Sequence, residues 1–170
     1  MDWAFLFATA KTLLAGVPLT LELAVTSLCA GFVLAVGVAA LAGSRFAPAR
    51  WAAALYVMLF QGTPLLVQIF IVYYGFGQIG FLRASFLWPV LQQAYWCAVL
   101  ALSLNTSAYG AEIIRGAVAA VPAREIEAGR AIGLSGLLLR RRIIWPQALP
   151  YGLPNYGNEA ILPLKAPSLA

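Results

Sequence analysis

An all-α bundle of membrane-spanning helices is the fold class that this sequence of 170 residues predicts. Composition is the first reason. Apolar residues make up 62 % and charged residues 10 %, with a mean hydropathy of +0.86, where a soluble domain carries about 25 % charged residues. Spacing is the second. Uncharged runs of 22, 32 and 28 residues separate Glu22 from Arg45, Arg50 from Arg83, and Arg83 from Glu112. Each exceeds the roughly 20 residues that a helix needs to cross a hydrocarbon core. The third reason is that these runs lack the charged face of a soluble surface helix.

The elements follow in order. Span one covers about residues 12–42, too long for the apolar core of a cleaved signal peptide, about 7–15 residues, so it is read as retained. Pro18 is placed near its outer end, in the first helical turns, where proline is tolerated. Gly43 to Arg50 forms an inner turn, and span two covers about residues 51–75. Within span two, Gly62-Thr63-Pro64 is a break, because Pro64 removes a donor and disfavours helix at Thr63. In lipid such a break needs protein or a water-filled cavity to take up the freed carbonyls. An external segment (76–95) carries Trp88 and Tyr95, which with Trp96 suit an interfacial belt. Span three covers about 96–121 and ends before Pro122.

Residues 122–146 are basic, with Arg124, Arg130, Arg140, Arg141 and Arg142. That segment is too polar for hydrocarbon and too rich in Ile and Leu to be a separate domain. It reads as a helix–turn–helix loop at the membrane surface, shaped to dock on a soluble partner. A fourth span starts at about 147 and runs to 170. Pro146, Pro150, Pro154, Pro163 and Pro167 are five of the ten prolines, and they mark this segment as broken. The chain is expected to be truncated within that span.

The net charge of +5 sets topology rather than pointing to nucleic acid, because Lys and Arg in short loops remain on the cytoplasmic side. With the N-terminus outside, seven arginines lie inside (Arg45, Arg50 and the five of the basic loop), and Lys11 and Arg83 outside. Cys29 and Cys97 fall inside spans, as small apolar residues. Two cysteines and no histidine offer no disulfide or metal framework. Neither a phosphate-binding G-x-x-x-x-G-K-[ST] loop nor a serine in a nucleophile elbow is present, so no catalytic residues are assigned and an enzyme is not expected.

A spaced pattern runs through the basic loop: Glu127-Ala128-Gly129, three residues, Gly133, nine residues, then Ile143-x-Trp145-Pro146. It resembles the E-A-A-x3-G-x9-I-x-L-P (EAA) loop of ABC-importer permeases, with Gly129 in place of Ala and Trp145 in place of Leu. FQGTPLLVQIFIVYYG (Phe60–Gly75) is similar to the FRGTPLLVQ signature of polar amino acid permeases, with Gln61 where Arg is common. Ala101–Pro122 and Leu153–Ala170 are similar to the next two blocks of that family. Within it, the nearest resemblance is to permeases for arginine and for histidine, lysine or opines. The resemblance implies a multi-pass bacterial inner (plasma) membrane protein of five spans, of which most of the fourth and all of the fifth are missing here. It also implies partners: ATPase subunits, an external or periplasmic solute-binding protein, and a second permease subunit, self or sister, all in membrane lipid. No cofactor is implied, and ATP would be hydrolysed by another polypeptide.

Two sets of candidate residues result. The resemblance assigns Glu127, Ala128, Gly129, Gly133, Ile143 and Pro146 to a coupling loop that inserts in a groove on the ATPase. The residues themselves suit such a turn. Pro122 can start a helix, Glu125 and Glu127 complement its dipole, and Gly133 can take the positive φ that folds a second helix back. The bland alternative is a solvated loop whose arginines only fix topology. The substrate pathway is assigned to Gly62, Thr63, Pro64, Glu112, Asn158 and Glu159, because intramembrane ionisable groups and helix breaks mark such paths. Glu112 and Arg115, three apart on a helix, can instead neutralise each other, and Gly62, Thr63 and Pro64 can serve packing alone. Glu22 can simply snorkel. Glu159, after Pro154 and Gly157, is read as facing a cavity lined by broken backbone, where its carboxylate can bind a guanidinium or ammonium group. Its alternative is a pairing with Lys165 or with an arginine of a partner protein. The expected function is an ATP-driven importer of polar, basic amino acids. The alternatives are a structural or channel-like subunit uncoupled from ATP, a non-functional truncated permease, or a membrane enzyme using Glu112 or Glu159.

Overall fold

The structure, a computed structural model, describes residues 3–86 and 88–161. Among these residues every regular element is helical. Helix α1 (Trp3–Ala42) has 40 residues and is therefore about 60 Å long, twice the roughly 30 Å of a hydrocarbon core. Its part from Leu13 to Ala42 is long and apolar enough to cross. Pro18 lies well inside this helix, not in its first turns as expected, because the helix begins at Trp3. Membrane helices accommodate such a proline where neighbours compensate the lost bond.

A short turn follows, in which the Phe46 amide donates to Ser44 Oγ at 3.1 Å. Pro48 then sits in the first turn of α2 (Ala47–Gly62), where its missing N–H costs nothing. Thr63 is extended (φ −114°, ψ 140°). Helix α3 (Leu65–Phe70) continues through a π turn (Ile71–Gly75) and a 3₁₀ turn (Phe76–Gln78). The axes of α2 and the Leu65–Gln78 segment meet at 106°, so span two is sharply bent. Two short helices, α4 (Gly80–Arg83) and α5 (Trp88–Leu91), return the chain. The Arg83 guanidinium lies over the Trp88 ring, 5.9 Å from its centroid.

Helix α6 (Ala94–Ala119) is the centre of the bundle, and α1, α2 and α3 pack against it. Its buried positions include Ala101, Ser103, Ser107, Ala108, Gly110 and Ala111, small residues that let backbones approach where lipid supplies no hydrophobic drive. The approach to α1 is tight: a Cβ on Gly110 would lie 2.9 Å from Ala35 Cβ. Beyond α6 come α7 (Ala123–Ala131), α8 (Gly136–Leu139), a π turn (Arg140–Ile144) and α9 (Trp145–Ala160). Helix α9 also packs against α6.

Helix α9 runs unbroken through Pro150 and Pro154, so the broken backbone expected before Glu159 is absent. Spacing explains this. Pro146, Pro150 and Pro154 are four apart and share one face, so each proline faces the carbonyl of the proline before it. The lost bonds fall on one strip, and the rest of the ladder survives. The readings that rest on Pro163, Lys165 and Pro167 lie outside the described residues.

Candidate functional site

The basic loop is a folded helix pair. Pro122 (φ −59°, ψ 132°) precedes α7 and its carbonyl accepts the Glu125 amide at 3.1 Å. At the other end the Gly133 amide donates to Arg130 O (2.9 Å) and the Leu134 amide to Gly129 O (3.0 Å), with Gly133 at φ +83°. That is a Schellman closure, which consumes two carbonyls otherwise left over at a helix end. Gly136 is also left-handed, at φ +53°; sequence reasoning passed over it, although the Ser-Gly pair is a turn signal.

The turn lays α8 and the following π turn back on α7. Gly129 is buried, and a Cβ there would lie 2.7 Å from Leu139 Cδ1 and 3.2 Å from Ile143 Cγ1. Gly129 and Ile143 are thus brought together on the inner side. Glu127, Ala128, Gly133 and Pro146 are exposed on the outer side, with Arg140, Arg141 and Arg142. Beneath the loop, Ala117, Val121 and Ala148 form a buried cluster with Val118, Ile126 and Ile144 packed against it. It ties α7 and the π turn to the end of α6. The Arg124–Glu125 pair, 3.9 Å apart with the guanidinium largely exposed, contributes little. Chemically, the loop offers a carboxylate, several guanidinium groups and a small flat Ala on a rigid base.

Side chains take up several of the backbone carbonyls at the break of Gly62, Thr63 and Pro64. Pro64 has no N–H, so the carbonyl four residues earlier, Phe60 O, loses its helical partner. Gln68 Nε2 donates to it at 2.8 Å and Asn105 Nδ2 at 3.3 Å. Gln68 Nε2 also reaches Thr63 O at 3.0 Å and Thr63 Oγ1 at 2.8 Å, while Thr63 Oγ1 donates to Leu59 O at 2.8 Å. Asn105 Nδ2 donates to Gln68 Oε1 at 3.1 Å. Neither Gln68 nor Asn105 was singled out from sequence. The available signal was a neutral amide inside an apolar run, and a search weighted toward charge passes over it.

The remaining pathway candidates are spread along the bundle. Arg115 Nε donates to both Glu112 oxygens, at 3.0 and 3.1 Å, so the charge of Glu112 is already matched. Tyr95 OH donates to Glu22 Oε1 at 3.5 Å, and Glu22 is otherwise exposed. Asn158 is exposed and Glu159 half-buried at the end of α9. The bend meets α6 at Leu104–Ala108, whereas α9 meets it further along, with Tyr156 against Gly110 and Gly152 against Ala117. Among the described residues, Thr63 bonds within the bend, to Leu59 and Gln68, and no hydrogen bond or ion pair joins it to Glu159.

Residues 17–169 match the family described as "binding-protein-dependent transport system inner membrane component". The chain is 53 % identical to the octopine transport system permease protein of Rhizobium meliloti, over 99 % of this chain and 69 % of that protein. It is 43 % identical to the arginine ABC transporter permease protein of Haemophilus influenzae, over 91 % of this chain and 68 % of that one. Among solved structures, that of an amino acid ABC transporter with histidines superposes with a TM-score of 0.87 at 32 % identity, covering 99 % of this chain and 75 % of the other.

Proposed function

Since the chain belongs to the family of inner membrane components of binding-protein-dependent transport systems, we propose that it is the permease subunit of an ATP-driven importer for polar, basic amino acids. Its N-terminus faces outward, and the helix pair of residues 122–146 docks on a cytoplasmic ATPase. A solute-binding protein delivers cargo from outside, and a second permease subunit, self or sister, completes the pathway. The observation that carries the reading is the loop geometry. Gly129 lies inward under Leu139 and Ile143, which leaves Glu127 and Ala128 outward on a base anchored to α6. Charge-assisted contacts from such a surface suit a partner groove.

The pathway proposal places Gly62, Thr63, Pro64, Asn158 and Glu159 beside the cargo. Glu112 belongs to it only as a neutral pair with Arg115. Glu159 is favoured for a cationic cargo because, among the described residues, no guanidinium or ammonium group pairs with it. An octopine permease and an arginine permease among the similar proteins support a guanidinium-bearing cargo.

Uptake in proteoliposomes containing the ATPase and the binding protein tests this. Glu159→Gln should lower arginine or lysine uptake by about tenfold, on the order of 1.4 kcal/mol, and leave uptake of a neutral amino acid nearly unchanged. Equal losses for both cargoes would make Glu159 structural. Flux that needs no ATP would favour the channel-like subunit instead.

A further inference from the structure

The break in span two carries more amide chemistry than a helix end requires. Its orphaned carbonyls are capped from two elements, by Gln68 within the bend and by Asn105 on α6. Two more side chains tie the first arm of the bend to the same stretch of α6. Tyr56 OH lies 2.9 Å from Leu104 O and 2.6 Å from Ser107 Oγ, and Gln61 Nε2 donates to Ala108 O at 3.3 Å. Positions 104, 105, 107 and 108 fall on one face of a helix. The bend is therefore pinned to a single face of α6 through both of its arms.

Helix α6 then runs without interruption to Ala119. Its last turns enter the buried cluster of Ala117, Val121 and Ala148, with Ile126 of α7 and Ile144 of the π turn packed on it. A contiguous set of packed and hydrogen-bonded groups thus joins the basic loop to the bend. We propose that Gln68 and Asn105 are positioning residues: they clamp the bend to α6, so that displacement of the loop is delivered to Gly62, Thr63 and Pro64. The role of the clamp in transport rests on the permease reading above. Its role in holding the bend does not.

Gln68 Nε2 and Asn105 Nδ2 converge on Phe60 O, and Gln68 accepts from Asn105 as well. Replacing either amide by a carboxyl group keeps the shape and removes both N–H donors, leaving at most one O–H where the acid is protonated, too few for the acceptors that Gln68 serves. Gln68→Glu and Asn105→Asp are therefore informative even where Gln68→Met or Asn105→Leu fails to accumulate. Spin labels at Met58→Cys and Ile71→Cys, both well exposed on either side of the break, report the bend on a Cys29→Ser background. Cys97 is buried and stays unlabelled.

The labelled chain is assembled in lipid vesicles with its ATPase and binding protein, and label distances, ATP hydrolysis and uptake are read together. The expected result is a narrow distance distribution in the parent that broadens in Gln68→Glu and Asn105→Asp. Amino acid taken up per ATP should fall about tenfold, the scale of one buried polar group left unpaired, while hydrolysis persists. Parental distances in both carboxylate variants would overturn the clamp. A broadened bend with uptake per ATP unchanged would overturn the positioning role. If the parent assembly took up no amino acid, the permease reading would fail, while the label distances would still decide whether the amides hold the bend.

Discussion

Two glycines in the basic loop answer to different constraints, and substitution separates them. Gly133 sits at φ +83° with nothing within 4 Å of a built Cβ, so any objection to a side chain comes from the backbone. A non-glycine residue there costs about 1–2 kcal/mol, and a β-branched one is the worst choice. Gly133→Val should therefore weaken ATPase binding about tenfold in a pull-down titration while membrane insertion stays normal. Normal binding and uptake would sink the docking reading. Gly129 has the opposite problem, a crowded Cβ position facing the mobile end of Leu139. Because alanine gains about 1 kcal/mol over glycine in a helix, Gly129→Ala should come out nearly neutral in the same titration. Gly129→Leu should not. A large loss in Gly129→Ala would show that Leu139 cannot yield. The demand at Gly133 was legible from its place in the spaced pattern, since turn chemistry is local. The crowding at Gly129 was not, because Leu139 and Ile143 come to it only after the chain has folded back.

At the scale of elements, the contact between α1 and α6 is set by backbone-anchored atoms that cannot swing aside. A Cβ at Gly110 would meet Ala35 Cβ at 2.9 Å, so Gly110→Val must push the helices apart. Overpacking of this kind costs about 1–3 kcal/mol, which a thermal unfolding series in detergent should register as a lowered midpoint. Gly116 lies on the same helix with open space around it, and Gly116→Val should leave the midpoint unchanged or raise it. Equal effects would mean that the α1–α6 contact at Gly110 adds no cost of its own, since valine is a better helix former than glycine at both positions. Helix content and the location of the bend were readable from apolar runs and from Pro64, both local signals. The angle of 106° was not, because a local signal such as Pro64 places a break without setting the angle between its arms. The continuity of α9 was misjudged for a related reason: counting prolines overlooks that a spacing of four stacks their penalties on one face.

For the whole molecule, charge decides what the bend means. The described residues contain two helices able to cross a membrane, and a third span only if the two arms of the bend count as one crossing. If the bent pair crosses, the short turn before Ala47, the first turn of α2 and the basic loop lie on the same side, and all seven of their arginines face the cytoplasm. If it is re-entrant instead, the segment around Arg83 stays inside with that turn, and α6 carries five arginines outward. Short basic loops resist translocation, so the crossing form is expected. Single cysteines at Ala47, Ala84 and Ser135, with Cys29 and Cys97 replaced by alanine, distinguish the arrangements. An impermeant thiol reagent added to intact cells should label Ala84→Cys alone. Labelling of Ser135→Cys alone would identify a re-entrant bend with the N-terminus still outside. Labelling of Ala47→Cys and Ser135→Cys together would place the N-terminus inside. Either result would move the loop away from the compartment that holds ATP, and the importer reading would fall with it.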